Sequence, residues 1–243
     1  MELLTFDDSA ALADSAAQSA LQAINEGLTE NQNATWILTG GRTPGAAYKL
    51  IARQAQGVDW SRVTIGMGDE RCVSLDDSES NWGQAERDLL RHLPLAEGNL
   101  LKPAGAVSAQ EAADYYESLV RDLPQALPGT PRLDLLWLGM GEDGHTLSLF
   151  PGLDEIEETS RLVAGVYNSP KPPPQRATLT LKAMRGVKVC HILVSGAGKA
   201  EALGKVLGDG ENSNLPVARV AREIEAHGGK VTWFVDKTAG ANL

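Results

Sequence analysis

The chain has 243 residues, 42% of them hydrophobic and 22% charged, which suits a single α/β domain over 1–243 with a sizeable core. No apolar run approaches the about 18–20 residues of a membrane span, and the opening MELLTFDDSAALADSAAQ lacks the basic-then-apolar order of a secretory leader, so neither a membrane protein nor an exported one is expected. The net charge of −10 disfavours nucleic acid and anionic membranes as partners, and two distant cysteines, Cys72 and Cys190, exclude a CxxC site or a disulfide framework and fit a cytoplasmic home.

In chain order, Ala10, Ala13, Ala17, Leu21, Ile24 and Leu28 recur at helical spacing and predict a helix over 8–28. An apolar run, Ala34 to Leu38, predicts a strand that ends in Thr39-Gly40-Gly41-Arg42-Thr43-Pro44. There Thr43 suits an N-cap and Pro44 a first helical residue. A second strand, Val63 to Met67, ends in Gly68-Asp69-Glu70-Arg71, and Ser80 to Leu93 reads as helix. Ser108 and Glu111 form a capping-box pattern that opens a helix toward Leu127. Leu133 to Leu138 predicts a buried strand ending in Gly139-Met140-Gly141-Glu142-Asp143-Gly144-His145. Strands follow at Thr178–Leu181 and Val187–Val194, then a helix from Gly198 to Leu207 and a last strand at Val231–Val235. Lys171-Pro172-Pro173-Pro174 reads as a stiff surface loop.

This alternation predicts a mostly parallel, Rossmann-like sheet with helices on both faces. Ligands bind such sheets at the carboxyl ends of the strands. Four strands here are followed by polar or glycine-rich segments, TGGRTP, GDER, GMGEDGH and SGAGK. TGGRTP suits either a phosphate site at a helix N-terminus or a tight, well-capped turn. GMGEDG has the spacing of a dinucleotide fingerprint but places two carboxylates where a pyrophosphate must lie, and SGAGK lacks the spacing and Ser/Thr of a P-loop. His145, at a strand end two residues after Asp143, suits a general base. No histidine spacing supports a metal site and no GxSxG elbow is present. Cys72 beside Arg71 reads as a small strand-end residue rather than a nucleophile. An anionic substrate of so acidic a chain needs a local cationic nest, and Arg71, Arg176 and Lys199 are the candidates beside TGGRTP.

Taken together, TGGRTPGAAYKLIA, GDERCVSLDDSESNWGQA, LDLLWLGMGEDGHTLSLFPG, PPPQRATLTL and SGAGKAEAL resemble the 6-phosphogluconolactonase family, in family order over residues 35 to 205. The resemblance implies a three-layer α/β/α fold related to sugar-phosphate isomerases. It implies hydrolysis of 6-phospho-D-glucono-1,5-lactone to 6-phosphogluconate in the oxidative pentose phosphate pathway, with no metal and no organic cofactor. It further implies His145 as the base that activates water, Asp143 orienting that site or holding a sugar hydroxyl, and Arg71 near the reacting end. Gly40, Gly41, Arg42 and Thr43 would seat the phosphate, Arg176 and Lys199 would clamp it, and Asp69 and Asn81 would shape the pocket. The expected partner is a phosphorylated sugar lactone, and the expected state a monomer or weak homo-oligomer.

The related glucosamine-6-phosphate deaminases resemble this chain in the glycine loop and Asp-Gly-His, but carry a carboxylate five residues after the histidine. Phe150 stands there and cannot move protons. A deaminase or isomerase of the same fold and a non-catalytic sugar-phosphate sensor are the competing readings. A sensor would have lost the general base.

Overall fold

Strands buried on both faces read as unbroken apolar runs, and Ala34–Leu38 and Leu133–Leu138 are of this kind, every residue being buried. The computed structural model describes residues 1–243, the side chain of Glu211 excepted. The elements are, in order, β1 (Glu2–Phe6), α1 (Ser9–Asn31), β2 (Ala34–Leu38), α2 (Arg42–Gln54), β3 (Val63–Met67), β4 (Asp69–Arg71), α3 (Asn81–Asp88), β5 (Leu100–Leu101), α4 (Ala109–Arg121), β6 (Gln125–Leu127), β7 (Thr130–Pro131), β8 (Leu133–Gly139), β9 (Val163–Val166), β10 (Arg176–Leu179), α5 (Leu181–Met184), β11 (Val187–Val194), α6 (Ala200–Gly208), α7 (Pro216–Ala226) and β12 (Lys230–Asp236).

Seven strands form one sheet in the order β1-β12-β11-β8-β2-β3-β5, and every neighbouring pair is parallel. The side-chain period of two sorts its residues into two cores. Trp36, Leu38, Leu135 and Trp137 pack with α1 and α2 on one face. Ile37, Leu136, Leu138 and Ile192 pack with α4, α6 and α7 on the other. The molecule therefore has three layers, α/β/α. The strand order reverses between β2 and β8, with β3 and β5 lying to one side and β11 and β12 to the other.

A small antiparallel sheet, β4-β10-β9, grows from the carboxyl end of β3. The chain leaves the large sheet at Gly68, whose N–H donates to the Leu38 carbonyl (2.8 Å) while its own carbonyl accepts from Leu179 N–H (2.8 Å).

Some boundaries differ from the sequence reading, for physical reasons. The helix after β2 begins at Arg42 with Gly41 as its N-cap, so Thr43 is not the cap and Pro44 is not the first helical residue. Gly41 makes the turn at φ 115°, a conformation open to glycine. The helix from Ala109 stops at Arg121 rather than Leu127. Pro124 disfavours helix at the residue before it, and Gln125–Leu127 pairs with Thr130–Pro131 as a short hairpin instead. The helix after Ser80 ends at Asp88, followed by a separate turn of 3₁₀ helix over Leu90–His92. The Thr178–Leu181 strand is instead Arg176–Leu179 and belongs to the small antiparallel sheet. The helix expected from Gly198 begins with a 3₁₀ turn, Ala197–Lys199, before α6. β1, β4, β5 and β9 are too short to be read from the sequence, whereas α7, with Pro216 at its start and Val217, Val220, Ala221 and Ile224 at helical spacing, is legible and absent from the reading above.

Candidate active site

The four polar segments follow β11, β8, β2 and β3, which are four consecutive neighbours in the sheet. Their carboxyl ends therefore converge on one edge, astride the point where the strand order reverses. A cleft of about 170 Å³ opens there, lined by Thr39, Gly40, Gly41, Asp69, Arg71, Asn81, Gly139, Met140, Gly141, His145, Thr146, Leu147, Arg176 and Lys199.

Two tyrosines, neither singled out in the sequence, tie down the strand ends from opposite layers. Tyr48 of α2 donates to the Thr39 carbonyl (2.7 Å) and accepts from Thr39 N–H (3.0 Å). Tyr116 of α4 does the same at Met67, at 2.8 and 2.7 Å. Each saturates the backbone groups of a residue where sheet pairing gives out, which keeps the loops in register.

His145 stands at the end of the GMGEDG loop. Its Nδ1 lies 2.5 Å from Asp143 Oδ1, and its backbone N–H donates to the same oxygen (3.2 Å). A carboxylate only accepts, so Nδ1 carries the hydrogen and Nε2 keeps its lone pair. Burial pulls the imidazole pKa below its ordinary value, and the Asp143 carboxylate pushes back without cancelling it. The ring is therefore neutral and basic near pH 7. Asp143 feels burial in the opposite sense, but the bond from His145 dominates the remainder and its pKa ends below the usual carboxylate range. Gly141 makes this approach possible. A Cβ there would lie 2.0 Å from His145 Nδ1 and 2.5 Å from Asp143 Oδ1.

Opposite the histidine, Gly40 and Gly41 lead into the N-terminus of α2, whose first N–H groups have no partner within the helix. Gln84 holds this loop from α3, its side chain accepting from Gly41 N–H (3.1 Å) and donating to the Gly41 carbonyl (2.8 Å). Gly40 admits Asn81, whose Oδ1 would lie 1.9 Å from a Cβ at that position. Asn81 Nδ2 donates to the Asp69 carbonyl (3.0 Å). The Asp69 carboxylate accepts from Ser148 Oγ (2.6 Å), a buried hydroxyl that the sequence reading passed over.

The small sheet brings two guanidinium groups together. Arg71 on β4 and Arg176 on β10 are directly opposite in the antiparallel register. Like charges so placed repel, and such a pair is tolerable beside acidic neighbours or an anion. Arg71 reaches Glu79, donating from Nη1 to its carbonyl, and among the described residues nothing accepts from its buried Nε. Arg176 is 3% exposed. Its Nε donates to the Pro173 carbonyl (3.0 Å) and its Nη2 to the carbonyls of Lys171 (2.9 Å) and Pro172 (3.2 Å). The Lys-Pro-Pro-Pro loop is thus pinned by Arg176 rather than standing free. Lys199 sits at the far rim, half-buried, and burial lowers its pKa although the Glu142 carboxylate opposes this.

The structure thus brings Gly40, Gly41, Asp69, Arg71, Asn81, His145, Arg176 and Lys199 to one cleft. Three of the expected residues stand apart from its lining. Asp143 lies behind His145, and Arg42 and Thr43 open α2 outside the residues that line the cleft. Glu70, also passed over, is a buried carboxylate that accepts from Arg71 N–H (2.7 Å), Asn81 N–H (2.8 Å), Trp82 N–H (2.6 Å) and Ser80 Oγ (3.0 Å). It holds the start of α3 and with it Asn81. Cys72 is no activated thiol, since burial first and the Glu70 charge second push it up to about 11. Among the described residues no group of three or more His, Cys, Asp or Glu side chains is arranged to hold a metal ion.

The sequence profile of the family described as glucosamine-6-phosphate isomerases/6-phosphogluconolactonase matches residues 7–233. The chain is 37% identical to the 6-phosphogluconolactonase of Mycobacterium leprae over 98% of its own length and 96% of the relative's. It is 38% identical to the human 6-phosphogluconolactonase, over 84% of this chain and 80% of that one. The crystal structure of 6-phosphogluconolactonase from Thermotoga maritima superposes with a TM-score of 0.82 at 28% identity, covering 97% of this chain and 99% of the other. With profile, sequence and fold in agreement over nearly the whole length, the chain belongs to the glucosamine-6-phosphate isomerase/6-phosphogluconolactonase family.

Proposed function

We propose that this chain hydrolyses 6-phospho-D-glucono-1,5-lactone to 6-phospho-D-gluconate, the lactone-opening step of the oxidative pentose phosphate pathway. The observation that carries the reading is the neutral His145, held at Nδ1 by Asp143, facing a cleft whose other walls are a helix N-terminus and three basic side chains.

His145 Nε2 takes a proton from water as the oxygen attacks the lactone carbonyl. The tetrahedral intermediate then collapses, and the ring oxygen leaves with the proton that Nε2 returns. A positioned base of this kind contributes about 10²–10⁴-fold. Arg71, which lines the cleft, is the side chain we assign to the developing oxyanion, where a fixed donor adds a comparable factor. The phosphate rests on the N–H groups of Gly40, Arg42 and Thr43, the Gly41 N–H being held by Gln84, with Lys199 and the charge of Arg176 closing the nest. It holds the ring in place without touching the reacting carbon.

Phe150 separates this reading from ring-opening deamination. It is fully buried against His145, where a carboxylate would be needed to relay protons. The same reading takes 1–243 as one domain acting on a small phosphorylated lactone in the cytoplasm, as a monomer or weak homo-oligomer. It is supported by the net charge of −10; among the described residues no helix is long and apolar enough to cross a membrane.

The test is lactone consumption, with substrate generated in place from glucose 6-phosphate by a dehydrogenase. Acid formation should exceed the spontaneous rate and fall by about 10²-fold or more in His145→Ala, while affinity for 6-phosphogluconate stays within a few-fold. No ammonia should appear from glucosamine 6-phosphate. A lactone curve that overlays the spontaneous one would refute the reading.

A further inference from the structure

The carboxylate at the end of β12 takes no part in the cleft, yet it organises one of its walls. Asp236 is 4% exposed. Its oxygens accept from four groups: Ser195 Oγ, Gly196 N–H (3.2 Å), Thr238 Oγ1 (2.7 Å) and Ala239 N–H (2.8 Å). A buried carboxylate is costly unless its lone pairs are filled, and here all the surrounding groups donate. Two of the four belong to the first residues after β11. The next three, Ala197–Lys199, form a single 3₁₀ turn closed by Lys199 N–H on the Gly196 carbonyl (3.0 Å). The backbone of Lys199 is therefore fixed to Gly196, and Gly196 to Asp236.

We infer that Asp236 is a positioning residue for Lys199, setting the place from which that ammonium reaches the phosphate of the substrate. Lysine is a compact charge on a flexible stem. Its contribution to binding depends on how little freedom remains to be lost, which makes the anchoring of its backbone consequential. An asparagine at 236 would remove the charge and turn an NH₂ donor toward one of the two backbone N–H groups; the Ser195 or Thr238 hydroxyl beside it can accept, but Ala239 N–H would lose its acceptor or Gly196 N–H would keep only the longer contact (3.3 Å) to the remaining oxygen. This assignment rests on the reading of Lys199 as a phosphate contact, and its test is built so that the two can fail separately.

The experiment compares wild type, Asp236→Asn, Ser195→Ala, Lys199→Ala and the double variant Asp236→Asn/Lys199→Ala. Each is assayed for kcat and KM with the lactone, and for the Kd of inorganic phosphate by titration calorimetry. Asp236→Asn should raise KM and the phosphate Kd by about tenfold, the scale of one charge-assisted hydrogen bond, with kcat within about twofold. In the Lys199→Ala background the same substitution should change neither by more than about twofold, because its effect passes through Lys199. Effects that multiply in the double variant, an unchanged phosphate Kd, or a fall in kcat alone would overturn the assignment. If Asp236→Asn does not fold, Ser195→Ala decides through the same cycle, with a smaller rise of about threefold. A wild type that binds phosphate without turning over lactone would refute the proposed activity, and the phosphate cycle would still judge Asp236. A wild type that does neither overturns both.

Discussion

The ring of Phe150 lies against the imidazole of His145, with centroids 4.4 Å apart and planes 34° apart, and the Arg176 guanidinium lies over the same ring at 5.5 Å. One aromatic side chain thus shields one side of the proposed base from water and supports the neighbouring cation. The neutral imidazole is the active form, and burial holds its pKa below the ordinary value. Activity should therefore persist below pH 6.5 and fall off on the acid side as the ring protonates. Phe150→Leu admits water, lets the pKa rise toward its ordinary value, and should move the acid limb of kcat/KM to higher pH. A pH profile from 5 to 9 reads this directly. An unmoved limb would mean that the ring does not set the desolvation of His145.

Gly141 is predicted to be intolerant of any side chain. In Gly141→Ala the added carbon meets both His145 Nδ1 and Asp143 Oδ1. The pair must separate, and an imidazole without its Asp143 acceptor is no longer held in one tautomer or orientation. Turnover should drop by about 10²-fold or more, with 6-phosphogluconate affinity and thermal midpoint little changed. A variant that kept wild-type turnover would show that the Asp143–His145 contact is dispensable.

Glu70 is predicted to matter for stability first and for activity through Asn81. It accepts four hydrogen bonds at the start of α3, and burial raises its pKa although those bonds oppose it. Glu70→Gln leaves some of the four donors facing an amide NH₂. Urea unfolding should show a loss of about 1–3 kcal/mol. A loss within about 0.5 kcal/mol would mean that the loop finds other acceptors.

His191, on β11, accepts from Trp137 Nε1 at Nδ1 (3.1 Å) and lies 3.2 Å from Ser19 through Nε2. Burial, the dominant cause, with the Lys230 charge second, depresses its pKa from 6.5 to about 3. A histidine that cannot take a proton until the fold opens favours the unfolded chain in acid. Its contribution is fully present above pH 6.5 and is lost as pH falls from 6.5 toward 3, up to on the order of 5 kcal/mol. His191→Gln removes the titration, so its stability should fall less steeply between pH 6.5 and 4 than that of wild type. Parallel pH–stability curves by chemical denaturation would refute this.

The sequence was most legible where structure is local. The buried strands Ala34–Leu38, Val63–Met67 and Val187–Val194 occur with the boundaries that their apolar runs mark. The capping box at Ser108 and Glu111 forms as its spacing implies. Thr43 has a capping side chain but does not cap, because capping depends on where the backbone turns, and Gly41 turns first. The helix past Arg121 was overextended because the apolar pattern continues while Pro124 ends the hydrogen-bond ladder.

The alternation of strands with helices, the polar loops after four strands, and His145 with a set of basic residues as the chemistry-bearing groups are all legible in the residue order. These are properties of neighbours along the chain. It takes the folded chain to show that those four strands are adjacent, that Arg71 faces Arg176 across β4 and β10, that Arg176 directs most of its donors at the proline loop, and that Asp143 stands behind the histidine. The carboxylates of Asp69, Glu70 and Asp236 likewise look like surface charges until their donors arrive from distant segments. Strand order and buried polar pairing are set by contacts between residues far apart in sequence, and such contacts leave no period in the chain to be read.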